Sequence, residues 1–325
     1  MLYRLLSVVV CFLLVDGFCS KNAVARPPAS MEKKGISISI YTSANDSLSC
    51  TIPFNRAGNL IMLKAKVDTV EGNFILDTGA PYLILNETYF RDYPVTVVEG
   101  DEQTTIAGRS AALSKTSVKE LSFGALQFFR VEADMTNLGN IENAKGIKVL
   151  GLLGLELFKD CELTIDFEKN LLCLHRIRKK ALLTCGHTLL KDDPVYNTYP
   201  IELTNSRIIT VTEIAGKKVK LIIDCAAESN ILDSRLPDKI FDNVTITRRV
   251  KLTGPGDKKV DALYGNLNHM KMGNRDVADL PVIIINLQYT CFADGSCADG
   301  VLGFDFLSQH KIAFNFVSRK MYIWK

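Results

Sequence analysis

Two stretches of the chain decide its fold: N-F-I-L-D-T-G-A-P-Y-L-I-L-N from Asn73 to Asn86, and K-L-I-I-D-C-A-A-E-S-N-I-L-D from Lys220 to Asp233. They align without gaps, and the alignment extends upstream. T-I-P-F-N from Thr51 answers to T-Y-P-I-E from Thr198, and the apolar run Leu60 to Val67 answers to Ile208 to Ile214. Pro53 and Pro200, like Asp77 and Asp224, stand 147 residues apart (200 − 53 and 224 − 77). Each copy also closes alike. The first has G-L-L-G-L-E-L-F, Gly151 to Phe158, then L-T-I-D-F around Asp166; the second has G-V-L-G-F-D-F-L, Gly300 to Leu307, then I-A-F-N-F around Asn315. A fixed internal period of this kind means two copies of one structural unit.

Within each copy, short β-branched and aromatic runs alternate with Gly, Asn and Asp turns, the pattern of a mostly β lobe. I-S-I-S-I-Y, Ile36 to Tyr41, reads as one more half-exposed strand. Short helices are expected only after the closing glycines, at 155–159 and 304–309. The chain has 325 residues, 47% apolar and 23% charged, with a net charge of +3, which is long enough for two modest cores and too balanced to suggest nucleic acid. R-I-R-K-K, Arg176 to Lys180, reads as a solvated linker rather than an anion site.

Arg4, the apolar run Leu5 to Val15 and the small-residue site Ala23-Val24-Ala25 together read as an export signal. The run is too short to span a bilayer, and nothing later approaches that length, so no integral membrane segment is expected after cleavage. A lipid anchor on Cys19 would want a small residue where Phe18 stands. The division that follows is a signal peptide over 1–25, an arm over 26–50 and lobes over 51–182 and 183–325, exported to a periplasmic or extracellular space. The remaining cysteines, Cys50, Cys161, Cys173, Cys185, Cys225, Cys291 and Cys297, are odd in number, leaving one thiol free. Bridges are expected at Cys291–Cys297, flanking a short Gly-containing loop, and at Cys161–Cys173, flanking a hairpin. No pair has C-x-x-C spacing and the four histidines are scattered, so no metal site is expected.

Asp-Thr-Gly-Ala directly after an apolar strand carries a carboxylate out of a core onto a turn, where the glycine admits close backbone approach. One such loop is ordinary. Two of them bring Asp77 and Asp224 together about a pseudo-twofold axis, and like charges held that close cannot both ionise. The ionised member can then take a proton from water as it attacks a carbonyl, while the protonated member donates. No cofactor is needed. These residues, with the apolar-apolar-Gly motifs Leu152-Leu153-Gly154 and Val301-Leu302-Gly303, resemble the retropepsin-like branch of the aspartic peptidases, in the tandem single-chain form of the pepsin-like proteins, over roughly residues 51 to 325. The resemblance implies two pseudo-symmetric β-barrel lobes of the acid-protease type with a cleft between them. It makes Asp77 and Asp224 the catalytic pair, Thr78 a hydroxyl buttress and Gly79 an amide donor to the pair. It places flap hairpins near Ile106-Ala107-Gly108 and Thr253-Gly254-Pro255-Gly256. Since both half-sites lie in one chain, it implies a monomer acting on peptide or protein substrates.

The second copy departs from the pattern in reading Asp224-Cys225-Ala226. A thiol donates weakly, so contacts built on Thr78 should be poorer at Cys225. Ala226 adds a methyl where backbones converge, at a further cost if the position needs positive φ. Cys225 reads as a substitute for Thr rather than a nucleophile, with no histidine near it. Glu228 reads as a surface group, one that at a cleft edge would favour basic substrate side chains. Two functions follow: an exported endopeptidase, preferred because Asp224 is retained, or a silent cleft that grips extended peptides by strand addition.

Overall fold

The computed structural model describes residues 13–16, 39–42 and 49–325, apart from 106–107, 178–189, 191–193, 205–206, 254–258 and 289–296. The first half lays down β1 (Leu60–Val67), β2 (Val70–Leu76), β3 (Leu83–Asn86), β4 (Thr96–Thr105), β5 (Gly108–Phe123), β6 (Leu126–Thr136), the helix α1 (Gly139–Lys145), β7 (Gly151–Leu153), and the hairpin strands β8 (Cys161–Asp166) and β9 (Leu171–Arg176). The second half repeats the series with β10 (Arg207–Ile214), β11 (Lys217–Ile223), β12 (Asn230–Asp233), β13 (Val244–Thr253), β14 (Lys259–Met272), β15 (Arg275–Ile285), β16 (Gly300–Leu302), β17 (Ile312–Asn315) and β18 (Lys320–Trp324).

Strand pairing is duplicated contact for contact. β7 runs parallel to β2 and antiparallel to β3, just as β16 runs parallel to β11 and antiparallel to β12. β3 is parallel to β6, and β12 to β15. Each sheet then closes on itself, through Lys66 opposite Ser122 in the first half and Glu213 opposite Lys271 in the second. The result is two β barrels, β1-β2-β7-β3-β6-β5 and β10-β11-β16-β12-β15-β14. The hairpins β4–β5 and β13–β14 take matching places in the two halves.

The reason for this repetition is visible in burial. β1 and β10 share the pattern of four buried residues followed by strict alternation. Where alternation holds, one face meets the barrel core and the other meets solvent; where it fails, both faces are covered. The second cover comes from matching clusters outside each barrel, Leu60, Met62, Ile75, Ile84 and Leu152 in one half, and Ile209, Ile222, Ile231 and Val301 in the other. Each fully buried side chain of this kind stabilises by about 1.5–3 kcal/mol.

A third sheet joins the halves. Its order is Tyr196–Pro200, β18, β17, β8, β9 and Ser49–Pro53, three strands from each half, with the seam at β8–β17. In the seam Thr164 lies opposite Ala313, and the buried Asn315 donates from Nδ2 to Glu162 Oε1 at 2.7 Å. The expected short helices form as a 3-10 turn at Leu155–Phe158 and an α-turn at Phe304–Leu307. Most of the leader, including Arg4, Cys19 and Ala23-Val24-Ala25, lies outside the described residues; Leu13–Asp16 is a short strand antiparallel to β4. Of the expected strand at Ile36 to Tyr41, the described part is Ser39–Thr42, paired with β6.

The expected Cys161–Cys173 bridge is not formed, although the hairpin is. β8–β9 register sets Cys173 opposite Thr164, three residues from Cys161, so the two side chains point to opposite faces of the sheet. Four described cysteines are free, Cys50, Cys161, Cys173 and Cys225, rather than one. Cys297 is disulfide-bonded, while Cys291 lies outside the described residues.

Candidate active site

β2 and β11 each end at an aspartate, and each strand is anchored by the parallel strand beside it. The Asp77 amide donates to Leu153 O and the Asp224 amide to Leu302 O, both at 3.0 Å. Below each loop a glycine is required. A Cβ on Gly154 would collide with the Tyr82 backbone, and one on Gly303 with the carbonyls of Ala227 and Ser229. That close approach lets the Leu155 amide reach Ala80 O at 2.8 Å and the Phe304 amide reach Ala227 O at 2.7 Å. Leu152, Leu153, Val301 and Leu302 are buried around these contacts.

The two carboxyls sit in matching cradles. Asp77 Oδ1 accepts from the amides of Gly79 and Ala80 at 2.8 and 3.0 Å; Asp224 Oδ1 accepts from those of Ala226 and Ala227 at 2.8 and 3.2 Å. Asp77 is 2% and Asp224 0% exposed. Burial pushes each carboxyl up to about 6, against the smaller opposing pull of its own two amides. The Gly79 amide also bears on Asp224 and holds it down a little, which ties the two carboxyls to one amide. Asp224 Oδ2 is buried with no hydrogen-bond partner among the described residues.

Between the loops runs a reciprocal set of hydrogen bonds. Thr78 Oγ1 accepts from the Cys225 amide at 3.0 Å and donates to Ile223 O at 3.2 Å. Cys225 Sγ accepts from the Thr78 amide at 3.4 Å and donates to Leu76 O at 3.2 Å. The thiol therefore fills both roles of the hydroxyl it faces, and the expected weakening appears in atom type rather than in lost contacts. Cys225 is 2% exposed, and burial together with Asp224 and Asp77 holds its thiol firmly protonated. The further cost expected if Ala226 needed a positive φ does not arise. Its φ is not positive, and its methyl packs into the first half's cluster beside Leu60, Leu138 and Ile141.

Of the two glycines expected at flaps, one falls on the β4–β5 hairpin. Gly108 opens β5 opposite Thr105; Gly254 lies outside the described residues, between Thr253 and Lys259, which pair. Glu228 is not a surface group: its carboxylate meets Lys145 at 2.6 and 2.7 Å, with both side chains about one-tenth exposed. Sequence reasoning missed this pair because Lys145 lies far away on α1 and nothing local marks it. Among the described residues no group of His, Cys, Asp and Glu could hold a metal ion, and no helix is long and apolar enough to cross a membrane.

A family model described as aspartyl protease matches residues 63–157 and again 210–306, more than half of the chain. No curated protein matches. Among solved structures, the chain is similar to basic 7S globulin from soybean, at 9% identity and a TM-score of 0.46, over 89% of this chain and 95% of that one.

Proposed function

This chain belongs to the aspartyl protease family, and from that premise we propose that it is an exported endopeptidase whose two Asp loops activate one water. The observation that carries this reading is the pair of matching cradles: two buried carboxyls, each fixed through Oδ1 and each raised to about 6. Two carboxyls in one low-dielectric site hold a single proton between them over a span of pH. The ionised one removes a proton from water as the water oxygen bonds to the scissile carbonyl carbon; the protonated one donates to the developing oxyanion. Collapse of the resulting gem-diol breaks the C–N bond: the departing nitrogen takes the proton that the first carboxylate removed from water, and a gem-diol hydroxyl returns its proton to the other carboxylate, which restores the singly protonated pair. Asp224 Oδ2, buried and unpartnered among the described residues, is the acceptor position this scheme requires. The substrate is an extended peptide lying beneath the β4–β5 and β13–β14 hairpins. Export rests on the leader at Leu5 to Val15 with its Ala23-Val24-Ala25 site.

One observation favours the second reading, a cleft that binds without cutting. Both carboxyls are almost fully buried, so substrate must open the site before water reaches them. Incubating the mature protein with an unfolded protein substrate from pH 3 to 8 separates the two. The peptidase cleaves below about pH 6, loses activity as pH rises past that value, and falls at least about a thousandfold as Asp77→Asn or Asp224→Asn. Peptide binding without cleavage at any pH, unchanged in those variants, establishes the silent cleft instead.

A further inference from the structure

The second Asp loop carries a clamp with no counterpart at the first among the described residues. Lys145 Nζ, at the end of α1 in the first half, bonds both oxygens of Glu228, four residues beyond Asp224 in the second half. Asn59 Nδ2 donates to the carbonyl of the same Glu228 at 3.2 Å. Gly58, at φ +62°, turns the chain tightly over the pair: a Cβ there would stand 3.1 Å from Lys145 Nζ and 3.5 Å from Glu228 Oε2. From below, Gly303 packs against the carbonyls of Ala227 and Ser229 on either side. The position answering to Glu228 in the first loop is Pro81, which has no charge and cannot be clamped this way.

We propose that Lys145 and Glu228 are positioning residues that hold the second Asp loop, with its Ala where the first has Gly, in register with the first half. The clamp acts through backbone. It fixes residue 228, and so the two amides, at Ala226 and Ala227, that orient the Asp224 carboxyl. A nearly buried ion pair is a poor source of net stability, since the cost of desolvating both ions offsets their attraction. Removing both charges together therefore leaves the fold standing while releasing the loop.

The proposal rests on the peptidase reading for its catalytic consequence but not for its structural one, and the test uses both. The double variant Lys145→Met/Glu228→Leu is compared with wild type by melting temperature, by hydrogen exchange at the Ala226 and Ala227 amides, and by kcat and KM on a peptide substrate. The clamp requires a melting temperature close to wild type, exchange at those amides faster by tenfold or more with the Gly79 and Ala80 amides unchanged, and kcat lowered about tenfold with KM within twofold. Lys145→Arg with Glu228 intact, which keeps the charge pair, should keep the slow exchange. Unchanged exchange at Ala226 and Ala227 in a folded double variant overturns the proposal. So does acceleration spread equally over both Asp loops, the mark of general loosening. If wild type cleaves nothing, the peptidase reading fails alone, and the exchange measurement still decides the clamp.

Discussion

Cys225 stands where the first loop has Thr78, and each side chain makes two hydrogen bonds to the backbone of the opposite half. Sulfur is larger than oxygen and a weaker donor, yet it reaches both a carbonyl and an amide here. Cys225→Thr should keep activity and raise stability slightly, whereas Cys225→Ala leaves a buried amide and carbonyl unpaired and should cost about 1–3 kcal/mol in chemical denaturation. The native thiol should resist alkylation until the protein unfolds, being both buried and held protonated. The aspartates make a second prediction at this scale. Their carboxyls are raised in the fold, so burial favours the protonated form. Stability on this account is fully present below the ordinary carboxyl value and is lost as pH rises through about 6. Asp77→Asn removes one of these groups and should flatten the decline in melting temperature between roughly pH 4 and pH 6.

At the scale of elements, the short strands β7 and β16 hold the Asp loops from below, and the glycines that follow them leave no room for a side chain. Gly154→Ala drives a methyl into the Tyr82 backbone, which cannot swing aside, and should destabilise by at least about 3 kcal/mol. Gly146, at φ +67° past the end of α1, has no atom of the described residues, its chain neighbours aside, within 4 Å of where a methyl would stand, so Gly146→Ala should cost only the left-handed strain of about 1–2 kcal/mol. These elements were legible in the sequence because their signals are local: apolar run, Asp, small residues, and later Leu-Leu-Gly or Val-Leu-Gly. The Cys161–Cys173 bridge failed for a reason equally physical. Hairpin proximity is readable from a short spacing, but which face each cysteine takes depends on the β8–β9 register, in which an odd offset separates the two. The Lys145–Glu228 pair was hidden because it depends on where α1 docks.

At the scale of the molecule, duplication explains the barrels but not their union, since the sheet that joins them exists in neither copy alone. Three strands come from each half, and Asn315 reaches across to the buried Glu162. Unfolding should therefore follow one cooperative transition, and Asn315→Ala, which removes a donor to a buried carboxyl, should lower its stability by about 1–3 kcal/mol without splitting the transition in calorimetry. The proposed mechanism asks one thing more of the pseudo-symmetry, that two carboxyls from separate halves share one proton. Carboxyl carbon NMR titration of Asp77 and Asp224 tests that most directly. The account requires two coupled titrations, one of them well above the ordinary carboxyl range, with Asp224→Asn shifting the titration of Asp77. Two independent titrations near the ordinary value, each indifferent to loss of the other residue, would contradict it.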